Sequence, residues 1–324
     1  MQHVLVIQSF HPAGMAMLEA RQDIRLTVTD DMSFEHLSQA VRDADIIAVR
    51  NQPLPAALLE HAPKLTCIAK HGVGVDKIDL DYCSARNIPV INTPGANAVS
   101  VAEQTVALIL ACAKNMRIND LAVRSGDFAI RESRNTLCIT AKKLLLCGFG
   151  GIGQTVARMM AGFAMEIFFY DPFLPETTAA GLDARRVSDL HAALPAMDVV
   201  SLHLPLTEAT RGMFGSKELS LMRPDAILVS TARGGIVDEA ALGEALRAGR
   251  LAAAGLDVFE QEPPDPGSPL LTMDSLIASP HNAALSREGA ARMGWETAEN
   301  IIAFLEKRVD ARRIVNRENL NLPS

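Results

Sequence analysis

Twice along its 324 residues the chain alternates short β-rich runs with helical patterns, and this alternation most restricts what it can fold into. The first series holds VLVI at 4–7, IRLTV at 24–28, IIAV at 46–49, LTCIA at 65–69 and PVIN at 89–92. The second starts at KKLLLCGF and runs through EIFFYD, DVVSLHLP, AILVST, AAAGLDV and LIASP. Strands alternating with helices imply parallel sheets covered on both faces, so the expected class is α/β with two doubly wound parallel sheets. The length agrees, because one hydrophobic core rarely serves 324 residues whereas two of ordinary size can.

Between strands, Ser33 is placed to cap a helical stretch that carries Phe34, Leu37, Ala40 and Val41 on one face. After the turn signal NTPGAN, the run AVSVAEQTVALILACAKN predicts about five turns of helix. It is too apolar all round for a lone surface helix, so burial between domains or subunits is expected. A helical pattern extends from Ser286 through Glu306, and the tail RIVNRENLNLPS has no strong period.

Composition excludes several classes. Hydrophobic residues make up 48% and charged ones 21%, which is the balance of a globular protein. Lys and Arg number 31 against 38 Asp and Glu, with no basic block, so neither nucleic acid nor an anionic membrane is an expected partner. The start, MQHVLVIQSF, lacks the marks of a signal peptide, no run reaches the roughly 18 apolar residues that span a bilayer, and a cytoplasmic location is expected. Cys67, Cys83, Cys112, Cys138 and Cys147 form an odd set without CxxC, which suggests buried small hydrophobes rather than a disulfide framework or a metal site.

The chemistry is concentrated in five places. In LLLCGFGGIGQTVARMM, Gly148, Gly150 and Gly153 take G-x-G-x-x-G spacing between an apolar strand and a helix, where free amides can receive a pyrophosphate. Asp171 follows 18 residues after Gly153, at the end of the next strand, where a carboxylate grips ribose hydroxyls and repels a 2′-phosphate. The expected cofactor is therefore NAD rather than NADP. Three later strand ends, in STARGGIVDEAAL, GLDVFEQEPP and SPHNAAL, contribute Arg233, Glu262 and His281. An arginine to hold carboxylate and carbonyl oxygens, a histidine to move a proton and a carboxylate to orient it suit hydride transfer to a keto acid. Taken singly, each of the three is more often a surface ion-pair partner, a solvated acid or a residue at a helix start.

The chain resembles the D-2-hydroxyacid dehydrogenase family, especially its D-3-phosphoglycerate-dehydrogenase-like branch. The resemblance rests on KHGVGVDKIDL, INTPGANAVSVAEQTVALIL, GFGGIGQTVA, LHLPLTEATRGM, LVSTARGGIVDEAAL, GLDVFEQEPP and SPHNAA, in the family's order. It implies a Rossmann NAD domain, residues 98–285, inserted into a flavodoxin-like substrate domain, residues 1–97 and 286–324, and a homodimer with the apolar helix as hinge and dimer contact. It also implies Arg233, Glu262 and His281 as the catalytic set. Cofactor contacts are implied from Gly148, Gly150, Gly151, Ile152, Gly153, Asp171, Leu204, Thr231, Ala232, Asp257 and Ala284. Backbone amides near Val73 and Gly74 would take the substrate carboxylate, and Arg50 a distal anionic group. Lys70 and His71, just before that loop, strengthen the expectation of a doubly charged 2-hydroxy or 2-keto acid. Where members often carry glycines after the histidine, this chain has Asn282, Ala283 and Ala284. It shows no counterpart of the regulatory domain appended to many phosphoglycerate dehydrogenases, so feedback by serine is not expected.

Two rivals fall to single residues. A short-chain dehydrogenase needs Tyr-x-x-x-Lys, and Tyr82 and Tyr170 are followed four positions later by Arg86 and Leu174. A formate-dehydrogenase reading expects glutamine where Glu262 stands. An NAD(H)-sensing co-repressor on the same fold is the alternative from a different class.

Overall fold

The structure, a computed structural model, describes residues 1–321 and divides into two compact units. Unit 1 comprises residues 1–97 and the chain from Leu285 onward, and unit 2 comprises Ala98–Ala284.

In unit 1, β1 (Gln2–Ile7), β2 (Ile24–Thr29), β3 (Ile46–Val49), β4 (Cys67–Lys70) and β5 (Val90–Ile91) form a parallel sheet in the order β2-β1-β3-β4-β5. Val4, Leu5, Val6 and Ile7 are all fully buried, because helices cover both faces and each side chain of a central parallel strand needs an apolar neighbour. Val4, Val6 and Ile46 meet Leu18 and Ile301 on one face, while Leu5, Ile7 and Ile47 meet Leu37 and Leu58 on the other. Ser33 caps the helix Phe34–Ala40 by accepting from His36 N. Leu37 and Val41 are buried, but Phe34 stays exposed and meets the edge of His61, so the buried face is narrower than the spacing predicts. The long helix Arg287–Leu305, capped by Ser286, packs against Pro12–Glu19 at a glycine crossing. A Cβ on Gly14 would lie 2.2 Å from the carbonyl oxygen of Gly294. The unpatterned tail is held by side chain to backbone bonds: Asn316 accepts from Val90 N at 3.0 Å and donates to Ile88 O at 3.0 Å. The last three residues of that tail lie outside the described residues.

Unit 2 carries a second parallel sheet of β6 (Lys143–Cys147), β7 (Glu166–Tyr170), β8 (Ala184–Arg186), β9 (Val199–Leu202), β10 (Ile227–Ser230), β11 (Ala253–Leu256) and β12 (Leu276–Ala278). The order is β12-β11-β10-β9-β6-β7-β8, reversing at β6 and β9 as in a doubly wound dinucleotide-binding fold. Both sheets agree with the expected fold class. Sequence reading misses β8, a three-residue edge strand of sequence ARR that exposes both arginines and so offers no apolar run.

Two expectations need correction. The apolar helix spans Ala98–Ala113, four turns rather than five, and packs its buried face against the helix Gly151–Ala161 and against β10, β11 and β12. Its buried face thus joins the core of unit 2 through Ala102, Leu108, Ile109 and Cys112, while Val99 is exposed. Of the five cysteines four are buried, but Cys138 is exposed, because it sits in an irregular connection ahead of β6. No helix among the described residues is long and apolar enough to cross a membrane, and none of these residues form a cluster of His, Cys, Asp or Glu able to hold a metal.

Candidate functional site

The glycine loop joins β6 to the helix Gly151–Ala161. Gly148 has φ +92, and a Cβ there would lie 2.5 Å from His203 O. A Cβ on Gly153 would lie 2.4 Å from Gly148 O. These two glycines are therefore required by the protein's own backbone. Nothing stands within 4 Å of a Cβ built on Gly150 or Gly151, so the helix N-terminus, with half-buried Ile152 next to it, opens onto free space. That open cradle of amides fits a pyrophosphate. Asp171, directly after β7, accepts from Phe149 N at 3.0 Å through Oδ2 and from Phe173 N at 3.0 Å through Oδ1, which ties the carboxylate to the loop. NAD fits these residues. Leu204 follows β9, half-buried, and the preceding His203 is pushed down to about 4 by burial, so it is a neutral ring at neutral pH.

The ends of β10, β11 and β12 carry the candidate reacting groups. Thr231 and Ala232 are buried after β10, with Thr231 Oγ1 2.9 Å from Thr105 Oγ1 on the apolar helix. Arg233, half-buried, donates to Ala232 O at 2.7 Å and has further interactions. After β11, Glu262 Oε1 accepts from Phe259 N at 3.2 Å and its Oε2 lies 2.8 Å from His281 Nδ1. His281 is exposed, and its φ of +51 places it in the left-handed region, uncommon for a residue with a side chain. The structure therefore brings Glu262 and His281 into contact.

Sequence reasoning missed how these loops are joined. A Cβ on Gly234 would lie 1.8 Å from Phe259 O, so only glycine lets the Arg233 loop touch the Glu262 loop. The start of the helix Glu239–Arg247 and the Glu262 loop also exchange a pair of bonds, in which Glu239 N donates to Glu260 Oε1 and Glu260 N to Glu239 Oε1. Asp257, fully buried, accepts from Ser279 Oγ at 2.6 Å, Asn282 N at 3.1 Å and Ala283 N at 3.0 Å, which fastens the turn containing His281. Half-buried Ala284 ends the unit.

Unit 1 holds the anion candidates. The loop after β4 is braced from behind: Gly72 N donates to Thr93 Oγ1 at 3.1 Å and Asn92 Nδ2 to Val73 O at 2.8 Å, while Val73 is exposed and Gly74 half-buried. Arg50, after β3, donates to Ser9 O at 3.0 Å. Lys70 Nζ donates to the carbonyls of Arg50 and His71, tying the ends of β3 and β4 together. His71 departs from its expected role. It is buried against the Phe10 ring, and burial, with Lys70 and Arg50 nearby, pushes it down to about 3, so it carries no charge for an anion.

Comparison with known proteins fits this geometry. Residues 106–283 match the family model described as D-isomer specific 2-hydroxyacid dehydrogenase, NAD binding domain. The chain is 36% identical over 321 residues to a D-3-phosphoglycerate dehydrogenase of Methanocaldococcus jannaschii, covering 99% of this chain but only 60% of that protein. It is 36% identical to a glyoxylate reductase of Korarchaeum cryptofilum, covering 97% of this chain and 96% of that one. Among solved structures, a D-lactate dehydrogenase from Aquifex aeolicus complexed with NAD and lactic acid superposes with a TM-score of 0.86 at 28% identity, covering 99% of this chain and 100% of that one. The co-repressor alternative finds no support among these relatives. The chain belongs to the D-isomer specific 2-hydroxyacid dehydrogenase family, and residues 106–283 are its NAD-binding domain.

Proposed function

We propose that the protein is an NAD-dependent oxidoreductase that interconverts a D-2-hydroxy acid and its 2-keto acid, with His281 as the acid/base. The observation that carries this reading is the 2.8 Å contact between His281 Nδ1 and Glu262 Oε2. An ionised carboxylate only accepts, so Nδ1 carries the hydrogen and Nε2 is the end that exchanges a proton with substrate oxygen. NAD, when bound, supplies or accepts the hydride. In reduction the His281 imidazolium gives its Nε2 proton to the carbonyl oxygen, and in oxidation the neutral ring takes the hydroxyl proton. Glu262 fixes the ring's direction and offsets the imidazolium charge. Arg233 supplies a planar fork for the substrate carboxylate and carbonyl oxygen.

In this reading unit 1 is the substrate domain, with the amides of Val73 and Gly74 for the carboxylate and Arg50 for a distal anion. Asp171 selects NAD over NADP by its charge. A homodimer in the cytoplasm completes the reading. Self-association is supported by the helix Met116–Arg124, which buries no residue and exposes Met116, Leu121 and Val123. Phe128 just beyond extends the apolar strip, a pattern common at contact surfaces.

The test is NADH oxidation with glyoxylate, hydroxypyruvate, its phosphate, sulfopyruvate and 2-oxoglutarate, which differ in the distal group. Turnover that favours the doubly charged acids supports the whole reading. Silence across the panel from a protein that binds NADH removes it.

A further inference from the structure

We propose that Arg186 is a latent ligand for a 2′-phosphate on the adenosine ribose, and that the site is kept selective for NAD by the charge of Asp171 rather than by lack of a cation. The inference rests on the reading of the glycine loop and Asp171 as the dinucleotide site.

Arg186 ends β8, the edge strand beside β7, and its register partner is Phe169, two residues before Asp171. Its Nη2 donates to the backbone oxygen of Asp171 at 3.1 Å, which anchors the guanidinium beside the residue that would face the ribose. The positions after Asp171 are Pro172 and Phe173, so that stretch itself contributes no positive charge. The neighbouring strand does. Successive side chains of a strand point to opposite faces, and Arg185 is engaged by Glu166 at 3.7 Å and by the Phe168 ring. Arg186, on the other face, is solvent-exposed. A guanidinium has five donors in a fixed fork, so the bond to one carbonyl leaves donors that match phosphate oxygens.

Against this stands Asp171. Its two oxygens are each held by a backbone amide, from Phe149 and Phe173, which favours keeping the carboxylate where a phosphate at the ribose would meet it. A ribose hydroxyl donates to it, whereas a 2′-phosphate is repelled. Selectivity built on a repulsive group is lost when that group is neutralised, and an attractive group beside it then decides which ligand gains.

The experiment is isothermal titration calorimetry of NADH and NADPH at one fixed ionic strength, because such contacts are screened by salt. The proteins are wild type, Asp171→Asn, Asp171→Ser, and Asp171→Asn combined with Arg186→Ala. Asparagine keeps an oxygen for Phe149 N, and serine is the second variant should asparagine disturb the loop. The expected result is that both single variants gain affinity for NADPH relative to NADH by about tenfold to a hundredfold, the worth of one charge-assisted hydrogen bond. Adding Arg186→Ala should abolish most of that gain, with a smaller change for NADH. Unchanged NADPH affinity in both single variants, or a combined variant that binds NADPH as tightly as Asp171→Asn, overturns the proposal. Wild-type protein that binds neither nucleotide would fail the dinucleotide-site reading, and the proposal with it.

Discussion

Glu262 and His281 are 2.8 Å apart, Oε2 to Nδ1, and the other oxygen of the same carboxylate accepts the Phe259 N–H at 3.2 Å. The pair is thus fixed at both ends. Replacing Glu262 with Gln keeps the shape and removes the charge that offsets an imidazolium. Reduction of a keto acid, which needs the protonated ring, should slow, while NADH affinity holds. Steady-state reduction beside NADH titration checks this, and a Glu262→Gln variant that reduces keto acid at the wild-type rate would remove Glu262 from the proton path.

Arg50 donates to Ser9 O at 3.0 Å from the end of β3. If it also meets a distal anion, Arg50→Ala should raise KM for hydroxypyruvate phosphate by roughly ten- to a hundredfold, the worth of a charge-assisted bond, and leave glyoxylate, which has no distal group, much less affected. Equal losses for both acids would give Arg50 a structural role.

Buried His71 makes a pH prediction with a definite sign. Burial holds its folded value at about 3, below the ordinary histidine value of 6.5. The unfolded chain therefore takes up the proton first as pH falls. Stability from this residue is complete above about 6.5 and is lost as pH falls toward 3. His71→Phe can keep the stacking on Phe10 and removes the titrating group. Between pH 7 and 4.5 the variant should lose less unfolding free energy than wild type, by on the order of 2 kcal/mol at about 1.4 kcal/mol per unit. Urea midpoints at the two pH values measure it, and parallel losses would contradict the buried neutral ring.

The glycine loop predicts a contrast between two substitutions. Gly148→Ala places a methyl 2.5 Å from His203 O at φ +92 and should destabilise the protein by about 1–3 kcal/mol or more. Gly150→Ala meets nothing within 4 Å and should change stability by less than about 0.5 kcal/mol while weakening NADH binding. Thermal melts paired with NADH titrations separate the two, and equal effects on both readouts would mean that the loop's glycines serve one purpose.

Most strands could be read from the chain because strands covered on both faces must be apolar throughout, as VLVI and LLLC are. β8 could not, because an edge strand of three residues can be ARR and still pair. The glycine spacing and the strand-end positions of Arg233, Glu262 and His281 were legible for a similar reason: turns and loops there leave a local mark. Other features depend on neighbours distant in sequence. Gly234 is needed because Phe259 O lies against it, Asp257 because three donors from 279–283 converge on it, and His71 is neutral because it is buried, with the Phe10 ring stacked on it and Lys70 and Arg50 nearby. None of these contacts leaves a periodic trace. The apolar helix is another case: its buried face packs on β10, β11, β12 and the helix Gly151–Ala161, neighbours that its pattern does not name, since apolarity reports burial without saying against what.

Whether His281 moves the proton is read from kcat/KM for keto-acid reduction by His281→Ala beside the Kd for NADH. A proton-moving His281 predicts a loss of about 10²–10⁴ in kcat/KM, the usual share of positioned acid–base catalysis, with NADH bound nearly as tightly as by wild type. Near-normal reduction by the folded variant would contradict it and make His281 a loop residue that Glu262 happens to hold.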